Sequence, residues 1–367
     1  MTSESHCSPS PLPLIDGALQ GTVTAIQANY AQVQLDLPST NVWGCEQLLC
    51  TRRARLKKVG QRVMVGDRVI VEEPDWEGGR GAIADVLPRQ SELKRPPIAN
   101  VNQVLMMFAL AEPVLDPHQL SRFLVMVESE GLAICLCLNK RDLIPISAQE
   151  QWQERLASWG YPSLLLSLQT GEGLAPLLAQ LRQKITVLAG PSGVGKSSLI
   201  NALIPSVRQR VNQVSGKLAR GRHTTRHIEL FSLAETGLLA DSPGFNRPEV
   251  DYLPEELATY FPEARQRLAV DRCQIKDCLH RDEPNCVVRG DWERYPHYLM
   301  MLAEAIAHQT QVNEQGTPET SLKVKTKAKG QSCYEPKLAS KKYRRSSRKA
   351  EQQNLKKLYH ETDFNSR

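Results

Sequence analysis

The chain has 367 residues, 41% of them hydrophobic, and a formal net charge of +6. That length allows two or three domains with buried cores. No apolar run nears the ~18 residues of a membrane span, and nine cysteines spread over so long a chain do not resemble a secreted disulfide framework. The charge is uneven: residues 313–367 hold 14 Lys and Arg against 6 Asp and Glu, which leaves −2 for the rest. A tail that basic suits an anionic partner, RNA or an acidic membrane.

In chain order, residues 1–16 are rich in Ser and Pro and lack a basic stretch followed by an apolar one. They are expected to be a disordered leader rather than a signal peptide, consistent with a soluble cytoplasmic protein. Residues 17–92 read as short strands with turns. Gly21–Ile26, Tyr30–Leu35 and Arg68–Val71 have strand composition or alternation, and Val65–Val69 reads as a turn into a strand. This spacing predicts a small all-β barrel of the oligonucleotide-binding (OB) type. Arg52, Arg53, Arg55, Lys57 and Lys58 would form either a nucleic-acid face or a solvated basic loop, and both readings stay open at this point.

Pro96 and Pro97, within Leu93–Ala99, predict a linker. Six apolar runs follow: Val104–Leu110, Leu132–Leu138, Ser163–Leu168, Ile185–Ala189, His227–Leu233 and Gly237–Ala240. Helix-length stretches such as Asp116–Glu130 and Gln149–Trp159 separate several of them. The alternation predicts an α/β domain over residues 100–250 with a mainly parallel sheet. Residues 251–312 read as helix and loop around a Cys/His cluster. Residues 313–367, basic and poor in large apolar side chains, are expected to be disordered when free. Lys341–Leu358 is expected to become helical on RNA.

The strongest motif is Gly190-Pro191-Ser192-Gly193-Val194-Gly195-Lys196-Ser197-Ser198, between the apolar run Ile185–Ala189 and a helical pattern. Strand, Gly-rich loop and helix arrive in the order a phosphate loop needs. Glycines let backbone N–H groups turn toward phosphates, and the helix N-terminus adds a favourable dipole. Lys196 would reach the β- and γ-phosphates, and the Ser197 hydroxyl would ligate Mg²⁺. Asn139-Lys140-Arg141-Asp142, at the end of another apolar run, selects the base. The Asp142 carboxylate can accept from guanine N1–H and its 2-amino group, whereas adenine would leave it unpaired. Asn139 would brace the loop, and the Lys140 stem would cover the base. Ser167, ahead of Thr170-Gly171-Glu172-Gly173, would sit in the loop whose backbone contacts guanine O6.

Asp241-Ser242-Pro243-Gly244 is a D-x-x-G sequence. Its Asp241 can hold Mg²⁺ through water, and the Gly244 N–H can sense the γ-phosphate. In Gly221-Arg222-His223-Thr224-Thr225-Arg226 either threonine could ligate Mg²⁺, and Thr225 is favoured. The residue after Gly244 is Phe245, which cannot orient a catalytic water, so His223 is the nearest candidate for that task. Finally, Cys273-x₄-Cys278-x-His280-x₅-Cys286 offers three thiolates and one imidazole, a complete tetrahedral set for one structural Zn²⁺.

The order N-K-R-D, Ser loop, phosphate loop, Thr segment, D-S-P-G resembles that of the circularly permuted GTPases. A barrel before it and a Cys/His knuckle behind it resemble one branch, the small ribosomal subunit biogenesis GTPases. The likeness spans about residues 17–311. It implies zinc on Cys273, Cys278, His280 and Cys286, GTP and GDP as ligands, the small ribosomal subunit and its rRNA as partners, and a monomer. The expected activity is GTP hydrolysis coupled to late assembly of that subunit and release of the factor. Two alternatives are an RNA-binding GTP sensor without significant turnover, which Phe245 keeps open, and an ATPase, which Asp142 argues against.

Overall fold

The computed structural model describes residues 19–36, 46–94, 96–204, 228–233, 237–241, 245, 248, 252–315, 322–326 and 332–336. In Tyr30–Leu35 every second residue is apolar, so Ala31, Val33 and Leu35 face one side and are buried. The same logic closes five strands into a barrel of order β1-β2-β3-β5-β4. They are β1 (Leu19–Gln27), β2 (Tyr30–Leu35), β3 (Gln47–Arg52), β4 (Arg68–Asp75) and β5 (Arg80–Val86), with helix α1 (Ala54–Val59) after β3. Val23, Val33, Leu48, Val69, Val71 and Ile83 fill the interior. Of the basic residues singled out above, Arg53 is neutralised by Glu72 and Glu73 at 2.8 and 2.9 Å, whereas Arg55 and Lys58 are exposed.

The stretch expected to be a linker is a hairpin of β6 (Glu92–Lys94) and β7 (Pro97–Ala99). The prolines do not prevent it, because Pro96 sits in the turn and Pro97 opens the second strand. Leu93 and Ile98 are buried and join the core of the central sheet.

That sheet has six strands: β8 (Gln103–Ala109), β9 (Ala133–Asn139), β10 (Ser163–Leu165), β11 (Ile185–Ala189), β12 (Leu230–Ser232) and β13 (Leu238–Asp241). Their order is β10-β9-β8-β11-β13-β12, and all neighbours are parallel except β12 and β13. Each of the six apolar runs has become a strand. The central strand β8 is buried along its whole length, as expected of a strand covered on both faces. Helices α2 (Pro117–Ser129), α3 (Ile146–Ser158), α4 (Leu174–Leu181) and α5 (Lys196–Leu203) connect the strands. Asp116 starts α2 by accepting from His118 N–H at 2.9 Å, and Pro117 occupies the first helical position. The parallel arrangement brings the C-terminal ends of β8, β9, β10, β11 and β13 to one edge, where open α/β sheets bind ligands.

Beyond the sheet come a 3₁₀ turn (Leu257–Tyr260), α6 (Pro262–Val270), the Cys/His loop and α7 (Tyr295–Gln315). Phe261, Trp292 and Tyr298 form a ring cluster with centroids 5.3 to 6.1 Å apart. Arg294 is completely buried beside it. Its Nε and Nη2 donate to the Glu263 carboxylate at 2.7 and 2.5 Å, and its guanidinium lies 5.0, 5.3 and 4.8 Å from the rings of Trp159, Tyr161 and Phe261. Glu293 accepts from Trp159 Nε1 at 2.6 Å. The end of α3 is thus fastened to the start of α7. A buried ion pair adds little net stability, but removing one partner strands the other charge. Arg294→Ala should therefore lower unfolding free energy by about 3 kcal/mol, measured by denaturant titration. A loss below about 1 kcal/mol, the level of an exposed pair, would contradict this account.

The described residues beyond Leu302 belong to a second unit and comprise the later part of α7 and an antiparallel hairpin, β14 (Leu322–Thr326) with β15 (Ser332–Pro336), in the register Val324 to Tyr334. Composition alone did not suggest this hairpin. Lys341–Leu358 lies outside the described residues. No helix among the described residues is long and apolar enough to cross a membrane.

Candidate functional site

The phosphate-loop sequence leaves β11 and enters α5, as the motif predicts. Gly190 has φ 135° and Gly195 has φ 103°. A Cβ on Gly190 would stand 2.1 Å from the Met107 carbonyl oxygen, and one on Gly195 would stand 2.5 Å from Asn139 Nδ2. Both positions therefore demand glycine for backbone conformation and for close approach. Lys196 folds back over the loop, donating to the carbonyls of Gly190 and Pro191 at 2.7 and 2.6 Å. Burial lowers its pKa, and the nearby Asp241 carboxylate opposes that shift. Burial likewise raises the pKa of Asp241, against the pull of Lys196. Lys196 is half-buried and Asp241 exposed, and the two opposite charges favour each other's ionised form. Ser197 and Ser198 are exposed on the first turn of α5.

Asn139 ends β9 and is buried. Its Nδ2 donates to the Val194 carbonyl at 2.8 Å, and its Oδ1 accepts from Leu168 N–H at 3.4 Å. One amide thus ties together the N-K-R-D turn, the phosphate loop and the Ser167 loop, which lie far apart in sequence. Ser167 is fully buried, and its Oγ accepts from Thr170 N–H at 3.1 Å, closing that loop. Arg141 N–H donates to the Leu166 carbonyl at 3.2 Å. Gln149 on α3 braces the same turn: it donates to the carbonyls of Arg141 and Ile144 and accepts from Arg141 Nε. Asp142 is exposed on the single 3₁₀ turn Arg141–Leu143. Pro191, Ser192 and Gly193 run between β11 and Val194. Thr225, His223 and Gly244 lie outside the described residues. Phe245 is 2% exposed and packs in the core of the sheet.

Cys273, Cys278, His280 and Cys286 converge, all ligand atoms lying within 4.8 Å of one another. Cys273 Sγ is 3.9 Å from Cys286 Sγ and 3.5 Å from His280 Nδ1, which is 3.3 Å from Cys286 Sγ. A disulfide would need about 2.05 Å. With metal–ligand distances of about 2.0–2.3 Å, tetrahedral edges fall near the observed spacings. The surrounding chain holds the cluster in place. Glu283 accepts from the N–H groups of Leu279, Arg281 and Asp282. Tyr295 and Tyr298 donate to the carbonyls of His280 and Leu279 at 2.9 and 2.7 Å, and Arg289 N–H points at Cys286 Sγ.

Two features were not anticipated from the sequence: the Gln149 brace, and the loop after β8, which also reaches this edge. Lys140 Nζ donates to the Glu112 carbonyl in that loop. Neither carries a motif, and only strand order reveals the loop.

A closed barrel, a parallel sheet whose nucleotide loops follow the order β9, β10, β11 and β13, and a helical Cys₃His region define a circularly permuted GTPase. Comparisons agree. The solved structure of YloQ, described as a circularly permuted GTPase, superposes with a TM-score of 0.66 at 29% identity, over 80% of this chain and 96% of that one. YjeQ from Thermotoga maritima does so with a TM-score of 0.65 at 32% identity, over 79% and 99%. The family model for the RsgA GTPase matches residues 86–251. The small ribosomal subunit biogenesis GTPase RsgA of Trichormus variabilis is 60% identical over 95% of this chain and 98% of its own length. That of Synechocystis sp. is 51% identical over 95% and 97%. The chain belongs to the RsgA GTPase family.

Proposed function

We propose that this protein hydrolyses GTP in the cytoplasm, as a monomer bound to the small ribosomal subunit and its rRNA, and that hydrolysis releases it late in assembly. The observation that carries the reading is the Asn139 bridge, which joins a base-selecting turn to a phosphate loop at one sheet edge. Family membership and the names of the relatives support the ribosomal partner.

In this reading Gly190–Ser198 cradles the phosphates. Lys196 leaves its carbonyl partners for the β- and γ-oxygens, and Asp142 takes the guanine edge, with Asn139, Lys140, Arg141 and Ser167 shaping the base pocket. Ser197, Thr225 and, through water, Asp241 would hold Mg²⁺, which neutralises phosphate charge when bound. Gly244 would sense the γ-phosphate. Cys273, Cys278, His280 and Cys286 would hold one structural Zn²⁺. The donor set has no position left for water. The basic tail and the barrel would grip rRNA, so no membrane is needed to explain the charge.

Asp142→Asn tests base choice. An amide donor suits the extra carbonyl of xanthine, so the variant should lose GTP affinity about 100-fold and gain affinity for xanthosine triphosphate. Unchanged GTP affinity in a calorimetric titration would remove Asp142 from the base site.

A further inference from the structure

β8 lies between β9 and β11. The loop leaving its C-terminal end, residues 110–116, therefore emerges between the N-K-R-D turn and the phosphate loop. Both ends of this loop are fixed. Leu110 N–H donates to the Asn139 carbonyl at 3.0 Å, Leu115 is buried and Asp116 caps α2. The tip, Glu112 to Val114, is exposed.

Two contacts aim the tip at the two motifs. Lys140 Nζ donates to the Glu112 carbonyl. Pro113 Cδ lies 3.6 Å from where a Cβ on Gly193 would stand. The two residues joined by the lysine contact, Glu112 and Lys140, both have left-handed backbones, with φ of 51° and 63°. Such conformations cost free energy in non-glycine residues and persist where the surroundings impose them. A solvated ammonium–carbonyl contact adds little to stability. Its main consequence is geometric: it determines where the aliphatic stem of Lys140 runs.

We propose that Glu112 and Pro113 are nucleotide-positioning residues. The Glu112 carbonyl holds the Lys140 ammonium so that the stem is presented to the purine, and Pro113 stiffens the turn against the Gly193 peptide. The proposal rests on the reading of residues 139–142 as the guanine site.

The test is a double-mutant cycle on the full-length protein, with GDP affinity measured by calorimetry for Pro113→Gly, Lys140→Ala and the pair. Each single variant should weaken GDP about tenfold, the scale of one charge-assisted contact. The pair should be no weaker than Lys140→Ala within about twofold, because Pro113 acts through the lysine. The unfolding midpoint of nucleotide-free Pro113→Gly should fall by no more than the few degrees that the added freedom of the unfolded chain accounts for. If that variant does not fold, Pro113→Ala serves, with a smaller loss expected. Unchanged GDP affinity in the Pro113 variants, or losses that simply multiply in the pair, would overturn the proposal. Full GDP affinity in Lys140→Ala would overturn this inference and leave the base site, which Asp142→Asn tests separately, standing.

Discussion

Cys278→Ser protein is expected to emerge from purification without its full complement of zinc and with a markedly lower unfolding temperature. The parent should carry one zinc per chain by elemental analysis. The loop holding the four ligands, residues 273–286, has almost no hydrophobic interior: Cys278 and His280 are its buried members, while Cys273 and Cys286 are only half-buried. Such a loop would be held by the metal we propose for it. Structural zinc contributes on the order of 10 kcal/mol to the folding of small zinc domains, far more than the carboxylate bridge of Glu283 or the two tyrosine hydroxyls can replace. Removing one thiolate opens a coordination position to water and weakens the site. The loss should be local. The rings of Phe261, Trp292 and Tyr298 and the Arg294–Glu263 pair still hold this region together, and Glu293 still accepts from Arg155 and Trp159 at the end of α3. Amide exchange should therefore accelerate over residues 273–289 while β8 and β11 stay protected. A strong chelator should reproduce the effect in the parent. Metal-free protein from a chelator-free preparation, or unaltered exchange in Cys278→Ser, would refute a zinc-held loop.

The parts of this molecule legible from sequence are those whose requirements are local. A phosphate loop needs glycines, a lysine, a hydroxyl, a preceding strand and a following helix, and all of these lie within 185–203. The Cys₃His set is likewise contained in 14 residues. The six strands of the sheet were visible because each is a continuous apolar run bounded by polar chain. What escaped depends on strand order and packing. Leu110–Asp116 is unremarkable as text, and it faces the nucleotide edge only because β8 lies between β9 and β11. Arg294 reads as a surface residue, yet aromatic rings from two regions enclose it. The prolines at 96 and 97 suggested a linker because local rules favour one. Burial of Leu93 and Ile98 in the sheet core outweighs that preference.

Turnover by the isolated protein should be slow, and small ribosomal subunits should accelerate it strongly whereas large subunits do not. The residue after D-S-P-G is where many GTPases place a glutamine that orients the attacking water. Here it is Phe245, which has no group to offer a water and is buried in the core cluster of the sheet. The nucleotide can be gripped without it, since Lys196, Ser197 and Asp142 belong to other loops. Affinity and chemistry should therefore be separable in this protein, and a partner that completes the site can be worth ~10³–10⁵ in rate. His223, in the segment between the phosphate loop and β12, is the water-orienting group we propose. His223→Ala should then lose most of the subunit-stimulated rate and keep its GTP affinity, whereas Lys196→Ala should impair binding itself. Single-turnover measurements with saturating GTP separate the two. Equal rates with and without small subunits would defeat the ribosome-coupled mechanism altogether. Full stimulation in His223→Ala would leave the coupling standing and move the water-orienting group onto the ribosome.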